Sequence, residues 1–484
     1  MPKLRVLYVT PECAPLVKTG GLGDVAGALP VALRRIGLDA RVILPGYPAV
    51  LAALASAHNV ARIDAIARLP AARLLEAELP QGVPAWIIDC PALYDRDGGP
   101  YQDAHGADWE DNPLRFGLLG HTAALLASPQ NPVSWRAQLI HANDWQTGLA
   151  PAYVALAHDH TAPSIITIHN LAFQGIFAPH WVADLGLPAA SFAMDGVEYH
   201  GRISFLKAAM FYADAITTVS PTYAEEIQHE PMGMGMHGLL AARRDRLTGI
   251  LNGIDTMVWD PANDPLIPAR YDATKLGRKN ANKKALQIRF GLETQKDTLL
   301  LGAVTRLTTQ KGVDLLLGIA DAVLRLPAQM VIVATGDKVL EKHLVELAAA
   351  RRGRLASFIG FDETLAHLVE AGADAFVMPS RFEPCGLSQM YSQRYGTPPI
   401  VHATGGLIDS VVDCTSQTLA DGTATGFKFF APHADALMSA IKRCASAYGD
   451  ARIWRKLQRN GMARDYSWNR AAREYAAIYA RLVP

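Results

Sequence analysis

Glu383 is the residue whose type and position point most directly to chemistry. It lies in DAFVMPSRFEPCGLSQ, residues 374–389, where an apolar run typical of a buried strand gives way to a helical pattern. Because Pro384 is typical of a first helical turn, the sequence predicts Glu383 at a helix N-terminus. The helix dipole would favour the carboxylate of an ordinary first-turn acid by about 0.3–1 kcal/mol. Alternatively, Glu383 lines a ligand site at the carboxyl end of a parallel strand, and these residues alone leave both interpretations open.

A glycine-rich loop near the N-terminus is a candidate phosphate site. The segment KTGGLGD, residues 18–24, follows a buried strand predicted at 4–10 and precedes a helical pattern. Backbone N–H groups around Gly20 and Gly21, together with the ammonium of Lys18, could approach a phosphate there. A nicotinamide-binding loop is the rival, but its glycines should follow the strand directly, and the second strand lacks the ribose-binding acid. A merely tight turn would look similar.

Two cations in the second half of the chain form another candidate phosphate site. Arg306 and Lys311 follow a strand predicted at 298–304, at the start of the next helical pattern. Two cations and helical N–H groups at such a position can hold a diphosphate and stabilise the charge that develops when it departs. The loop ATGG, which contains Thr404 and Gly405, is a further candidate cradle. Exposed cations on a loop are common, so it is the position of these two that favours a phosphate site.

Polar side chains also follow several predicted strands of the first half: His141, Asp144, His169 and Asn170. The carboxyl ends of parallel strands meet at one edge of a sheet, where α/β proteins bind ligands. Each residue alone would more often be a turn or capping residue. Their convergence on one edge favours a site.

Strands and helices that must position these residues alternate along the chain. In the first half, strands are predicted at 4–10, 40–44, 85–89, 138–141, 164–169 and 215–219, with helices at 25–36, 113–127, 147–157 and 204–212. A turn-rich break at 252–255 precedes a second α/β series, with strands at 298–304, 330–334, 356–359, 375–378 and 399–402. An amphipathic helix is predicted at 468–482. We therefore predict an α/β protein with a first domain of residues 1–250 plus 464–484 and a second of residues 251–463.

Composition argues against several classes of protein. The 484 residues include 46 basic and 46 acidic side chains, which does not favour a chain specialised for nucleic acid or an anionic membrane surface. No uncharged apolar run approaches the ~18 residues of a membrane span. The cysteines are scattered without metal-ligand spacing, and the N-terminus lacks a secretion or import signal, so we expect a cytoplasmic protein. The pattern Asp95-Arg96-Asp97 resembles a metal-binding motif, but its turn-rich surroundings favour a solvated turn.

Motifs along nearly the whole chain resemble those of bacterial glycogen synthases and plant starch synthases. In family order they are KTGGLGD (18–24), HANDWQTGLAPAY (141–153), TIHNLAFQG (167–175), VSPTYAEEI (219–227), LNGID (251–255), TRLTTQKG (305–312) and PSRFEPCGLSQ (379–389). The resemblance implies the GT-B fold, in which two Rossmann-like doubly wound domains face each other across a deep cleft. It also implies a retaining transferase that moves glucose from ADP-glucose to the non-reducing end of an α-1,4-glucan such as glycogen, without a metal or other cofactor.

The resemblance also implies roles for individual residues. Glu383 is similar to the essential acid of the family and His169 to the histidine beside the reacting carbon. The residues implied to bind substrate are Lys18 with Gly20 and Gly21, Asp144, Asn170, Arg306, Lys311, Cys385, Gly386, Leu387, Thr404 and Gly405.

Two segments depart from the family pattern. VHATGGL, with His402 and Ala403, stands where the family usually has basic residues before TGGL, and PMGMGMHGLL at 231–240 lacks the usual aromatic and acidic residues. A related transferase using UDP-glucose or a small sugar acceptor is the nearest alternative. A non-catalytic glucan-binding protein is another, but it would be expected to have lost one or more of Lys18, Arg306, Lys311 and Glu383.

Overall fold

The computed structural model describes residues 3–157 and 162–483. The chain forms two compact units, the first comprising Met1–Gly253 and Trp468–Pro484, the second Ile254–Ser467. The chain first passes from one unit to the other within the turn-rich LNGID segment.

A largely parallel sheet organises the first unit. Its strands, together with those of a small antiparallel sheet, are β1 Arg5–Val9, β2 Asp39–Pro45, β3 His58–Ile63, β4 Ala72–Glu78, β5 Pro84–Asp89, β6 Leu139–Asn143, β7 Ser164–Ile168, β8 Ile176–Phe177, β9 Glu198–Tyr199, β10 Arg202–Ser204, β11 Ala215–Thr218 and β12 Leu247–Gly249. The large sheet has the order β12-β11-β7-β6-β1-β2-β5-β4-β3, and the small one β8-β10-β9. In the large sheet, β4 is antiparallel to both β3 and β5, whereas the remaining pairs are parallel.

Apolar runs explain why the central strands form. Residues 6–9 of β1 and every residue of β6 and β7 are buried. Because successive side chains of a strand point to opposite faces, complete burial means that both faces of the sheet are covered. The helices of this unit before its last one are α1 Gly21–Arg35, α2 Pro48–Ala53, α3 Pro91–Tyr94, α4 Asn112–Leu125, α5 Leu149–Leu156, α6 Trp181–Asp184, α7 Phe205–Tyr212, α8 Pro221–Glu226 and α9 His237–Ala242.

The second unit contains a parallel sheet. Its strands are β13 Leu299–Leu307, β14 Ala328–Gly336, β15 Leu355–Ile359, β16 Ala375–Met378, β17 Pro399–His402 and β18 Phe427–Phe429, in the order β15-β14-β13-β16-β17-β18. Its helices are α10 Lys279–Arg289, α11 Val313–Gly318, α12 Ala320–Leu324, α13 Lys338–Ala350, α14 Glu363–Gly372, α15 Ser388–Arg394, α16 Gly405–Ser410, α17 Ser416–Ala420, α18 Ala434–Tyr448 and α19 Ala451–Met462. The strand order changes direction at β13, which places the loops after β13 and β16 side by side at the carboxyl edge, the usual ligand position in such sheets.

The last helix, α20 Trp468–Leu482, returns to the first unit and packs against α1. Its buried stripe includes Trp468, Tyr475 and Tyr479, and the hydroxyl of Tyr479 lies 2.7 Å from Nδ1 of His141 in β6. The other ring nitrogen of His141 lies 2.6 Å from the hydroxyl of Thr167 in β7. His141 therefore joins the last helix to the centre of the sheet.

Several sequence predictions differ from the structure at this level. The strand predicted to end at His141 continues to Asn143, so His141 is a fully buried strand residue and does not lie at the ligand-binding edge. A 3-10 turn at Trp145–Thr147 precedes α5, which starts at Leu149 and not at residue 147. β3 and β4 were not predicted, because β3 is largely exposed and its pattern is weaker than a continuous apolar run. Within 3–157 and 162–483, no helix has the length and apolar character needed to cross a membrane.

Candidate functional site

Glu383 lies in the loop between β16 and α15, and its predicted position at a helix N-terminus is wrong. α15 begins at Ser388 with Leu387 as its N-cap, so several residues separate Glu383 from the first turn. Pro384 and Cys385 continue the loop, and Gly386 has a left-handed φ of +70°, which delays the start of the helix. The dipole of α15 is therefore not the interaction that places the Glu383 carboxylate.

Two side chains hold the Glu383 carboxylate instead. Its Oε2 atom lies 2.6 Å from Nζ of Lys311 and accepts a 2.9 Å hydrogen bond from the hydroxyl of Ser380. The Glu383 side chain is 7% exposed and that of Lys311 is 18% exposed. A carboxylate buried to this degree needs a partner, because an isolated charge would be strongly destabilised there. Lys311 is that partner.

The loop that carries Lys311 is fastened to the loop that carries Glu383. Arg381 makes a forked ion pair with Asp314 of α11, with N–O distances of 2.7 and 2.6 Å. The backbone N–H of Arg381 also donates to the carbonyl of Gln310 at 2.8 Å. Gly312 allows this close approach, since an added Cβ would lie 2.1 Å from the carbonyl oxygen of Pro379. The contact between Lys311 and Glu383 is thus one of several that join these two loops.

Arg306 differs from Lys311 in its surroundings. It lies near the end of β13 and is exposed, and within the described ranges its guanidinium has no hydrogen-bond or ion-pair partner. An exposed guanidinium at the carboxyl edge of a parallel sheet is suited to bind an anion with two parallel hydrogen bonds.

The loop before α16 packs against the loop of Glu383. The N–H of Gly406 donates to the carbonyl oxygens of Glu383 and Pro384 at 3.1 and 3.2 Å. At Gly405, an added Cβ would lie 2.1 Å from the Glu383 carbonyl oxygen. Thr404 and Gly405 are both buried. The glycines predicted as a phosphate cradle are thus explained by close backbone packing that supports Glu383.

Cys385, Gly386 and Leu387 form the rest of the turn into α15. The side-chain amide of Gln389 donates to the carbonyl oxygens of Cys385 and Gly386 at 3.1 and 3.0 Å. Cys385 is buried, whereas Gly386 and Leu387 are partly exposed. The turn is therefore held from inside by Gln389, with its last two residues toward the surface.

In the first unit, the glycine-rich loop is organised by Glu12, a residue not predicted from the sequence. The buried Glu12 carboxylate accepts hydrogen bonds from the N–H groups of Thr19 and Gly20 at 2.5 and 3.2 Å, and from the hydroxyl of Tyr101. Burial raises the pKa of Glu12, and these hydrogen bonds oppose the rise. The N–H of Gly20, predicted to face a phosphate, is therefore occupied by a carboxylate of the protein itself.

Lys18 and Gly21 flank this arrangement. Lys18 is exposed, and its Nζ atom lies 2.7 Å from Oδ1 of Asp24 in the first turn of α1. Gly21 is the first residue of α1. The ammonium of Lys18 is thus positioned at a helix N-terminus and remains accessible to an anion.

Asp144 ties together the ends of β6 and β7. Its Oδ1 atom accepts the N–H groups of His169 and Asn170 at 2.7 and 3.4 Å, and its own backbone has a positive φ of +55°, a strained conformation for a non-glycine residue. Burial raises the pKa of Asp144 to about 7, while the two N–H groups oppose that rise. The structure therefore brings three predicted site residues together, with Asp144 as the organiser of the loop.

Asn143 determines which nitrogen of His169 carries the proton. The Nδ2 atom of Asn143 donates to the carbonyl oxygens of Val9 and His141, which fixes the orientation of the amide. Its Oδ1 atom therefore faces Nε2 of His169 at 3.0 Å and must accept from it. Burial lowers the pKa of His169 to about 3, so the ring is neutral with its proton on Nε2 and an acceptor at Nδ1.

Sequence reasoning missed these supporting residues because their partners are distant along the chain. Glu12 contacts Tyr101, and Asn143 contacts both Tyr8 and His169. The position of Asn143 beside Asp144 at the end of a strand was the available signal. Phe361, which follows β15 and is 75% exposed, was also missed, and an exposed aromatic ring at a ligand-binding edge is a surface for stacking.

Two protein families match this chain over separate ranges. Residues 5–242 match the family described as starch synthase catalytic domain, and residues 285–459 match the family described as glycosyl transferases group 1. The chain is 56% identical over 480 residues to the glycogen synthase of Aromatoleum aromaticum, covering 99% of this chain and 97% of that one. It is 53% identical over 486 residues to the glycogen synthase of Nitrosospira multiformis, covering 100% and 98%.

Two solved structures resemble this chain in fold over nearly their whole length. The catalytic domain of starch synthase IV from Arabidopsis thaliana, bound to ADP and acarbose, matches with a TM-score of 0.87 and 31% identity over the whole of both chains. Sucrose-phosphate synthase from Thermosynechococcus elongatus matches with a TM-score of 0.61 at 17% identity over 99% of each chain, which is a likeness of fold alone.

Proposed function

Because the chain belongs to the glycogen and starch synthase family, it is a glucosyltransferase of GT-B fold that elongates a glucan, and we propose that ADP-glucose is its donor. The acceptor in this proposal is the non-reducing end of an α-1,4-glucan such as glycogen. The starch synthase of similar structure was solved with ADP, which supports an adenosine diphosphate donor over a uridine one. The scattered cysteines and the bacterial relatives favour a cytoplasmic reaction.

The contact between Glu383 and Lys311 carries the chemical part of the proposal. Arg306 and Lys311 lie at the carboxyl edge of the second sheet and would hold the donor diphosphate. A diphosphate bound by Arg306 would share Lys311 with Glu383, so the cation would neutralise the departing phosphate. The Glu383 carboxylate would stabilise the positive charge that develops on the glucosyl ring. In the first unit, the family resemblance assigns Lys18, His169, Asp144 and Asn170 to substrate, Lys18 through its exposed cation and the others through polar contacts.

We infer that transfer proceeds on one face of the glucose and retains its configuration. The bond from glucose C1 to the phosphate oxygen breaks while the bond from C1 to the acceptor oxygen forms. The proton of the acceptor hydroxyl passes to the departing phosphate, so ADP leaves with that proton. In this scheme neither Glu383 nor His169 has to bond to the sugar, and no metal is required of the protein.

Incorporation of labelled glucose into glycogen tests the proposal. The purified protein is incubated with glycogen and either ADP-[14C]glucose or UDP-[14C]glucose, with and without a metal chelator. We expect incorporation mainly from ADP-glucose and no effect of the chelator. Incorporation mainly from UDP-glucose would show that UDP-glucose is the donor. Binding to glycogen without incorporation from either nucleotide sugar would favour the non-catalytic alternative.

A further inference from the structure

His402 lies at the end of β17, at one of the positions where the related motif usually has a basic residue. It is buried, with 6% of the residue exposed, and its ring packs against Phe429 of β18 with a centroid distance of 5.3 Å. Its Nδ1 atom lies 2.8 Å from the backbone carbonyl oxygen of Ser380. Because a carbonyl oxygen can only accept, Nδ1 carries a proton and donates it to Ser380.

This side-chain hydrogen bond extends the pairing of β16 and β17 beyond the last backbone hydrogen bonds between them. β16 and β17 pair as parallel strands up to Met378 and Val401. In this register the carbonyl oxygen of Ser380 would next accept from the N–H of Thr404, but that N–H donates to the carbonyl oxygen of His402 at 3.0 Å. The imidazole of His402 takes the place of that backbone donor and extends the contact between the two segments to Ser380.

Ser380 connects His402 to Glu383. Its backbone carbonyl accepts from His402, and its hydroxyl donates to Oε2 of Glu383 at 2.9 Å. Ser380 is 1% exposed, so its hydroxyl is held in place by surrounding protein. A chain of contacts therefore runs from the His402 ring through Ser380 to the Glu383 carboxylate.

We propose that His402 is a positioning residue that holds Ser380 and thereby aims the Glu383 carboxylate at the glucosyl ring. Its role differs from that of a phosphate-binding cation, because the buried ring faces a carbonyl oxygen while the exposed Arg306 is available to an anion. The inference rests on the proposed function, since it assigns His402 to the turnover of that reaction. It predicts an effect on kcat and none on donor binding.

Two variants of similar shape isolate the hydrogen bond. His402→Leu removes the donor, whereas His402→Asn places an amide donor where Nδ1 was. We expect kcat for glucose transfer to fall roughly three- to tenfold in His402→Leu, since one positioning hydrogen bond is lost. The donor Kd should stay within about twofold, and His402→Asn should recover most of kcat. His343, exposed on α13, supplies the control His343→Leu, which should behave as the wild type.

A double-mutant cycle with Ser380→Ala tests whether His402 acts on Glu383 through Ser380. If His402 acts through the Ser380 hydroxyl, His402→Leu should cost less in the Ser380→Ala background than alone. Unchanged kcat in His402→Leu, additive effects in the cycle, or a loss confined to donor affinity would each overturn the proposal. Should His402→Leu fail to fold, His402→Gln, whose amide lies nearer the Nε2 position, replaces it with the same expectations. Incorporation from ADP-glucose by the wild type, measured alongside, reports on the proposed function separately.

Discussion

The ammonium of Lys311 lies 2.6 Å from the carboxylate of Glu383, and both side chains are largely buried in the second unit. Sequence position had suggested that a helix dipole favours Glu383 as a carboxylate. The structure replaces that weak interaction with an ion pair of low exposure and a serine hydroxyl. Glu383 is therefore positioned by Ser380 and by Lys311, the cation that the proposed function also assigns to the donor diphosphate.

Replacement of Glu383 by Gln should abolish most turnover. Glutamine keeps the size of the side chain and removes the charge proposed to stabilise the glucosyl ring. We expect kcat to fall by roughly 100-fold or more, while the ADP-glucose Kd changes little. Steady-state kinetics and calorimetric titration of the donor measure the two effects, with Glu363→Gln on the exposed start of α14 as the control. Turnover equal to the wild type would remove Glu383 from the mechanism.

Arg306 and Lys311 should give different results although both are predicted to bind phosphate. Arg306→Gln should weaken donor binding roughly ten- to hundredfold and leave stability unchanged, because its guanidinium is exposed. Lys311→Gln should also weaken donor binding, but it leaves a buried carboxylate without its cation. We expect it to lower the free energy of unfolding by about 3 kcal/mol and to lower kcat as well.

Donor titration and urea unfolding of both variants test these expectations. If Lys311→Gln unfolds at the same urea concentration as the wild type, the ion pair contributes little to the free energy of unfolding. Equal donor affinity in Arg306→Gln and the wild type would show that the exposed guanidinium does not contact the donor.

His169 should remain neutral, with its proton on Nε2, throughout the neutral pH range. The amide of Asn143 accepts from that nitrogen at 3.0 Å, and burial lowers the pKa of the ring to about 3. Nitrogen-15 NMR of the imidazole, assigned with His169→Asn, should show the Nε2-protonated form with no titration between pH 5 and pH 8, the range in which an unperturbed histidine changes charge. An Nδ1-protonated ring, or one that titrates near pH 6.5, would contradict the assignment.

Much of the framework could be predicted because its signals are local. The strand predicted at 375–378 coincides with β16, and the helix predicted at 468–482 coincides with α20, since buried strands read as apolar runs and amphipathic helices as a period near 3.6. The same reasoning predicted Arg306 at the carboxyl end of the strand and Lys311 at the start of the next helix, and they lie near the end of β13 and just before α11.

The supporting contacts could not be predicted, because they join residues far apart along the chain. Glu12 and Tyr101, or Asn143 and His169, meet through the parallel sheet and its loops. The position of Glu383 was misjudged for a different reason. Pro384 suggested a helix start, but Gly386 adopts a left-handed conformation and α15 begins two residues after it.

His141 should make the protein less stable in mild acid. Its buried ring contacts Tyr479 and Thr167, and burial, followed by the nearby His169, lowers its pKa to about 3. An unfolded histidine has a pKa near 6.5, so between these values the unfolded state binds one more proton than the folded state. The stability contributed by neutral His141 is therefore complete above pH 6.5 and is lost progressively as pH falls toward 3.

Urea unfolding of the wild type and His141→Asn at pH 7.5 and pH 5 measures this loss. We expect the wild type to lose about 1–2 kcal/mol more than His141→Asn over that interval, because His169 and the carboxylates contribute equally to both. The exposed variant His343→Asn should follow the wild type, and equal losses in the wild type and His141→Asn would show that the ring of His141 is not held neutral by its burial.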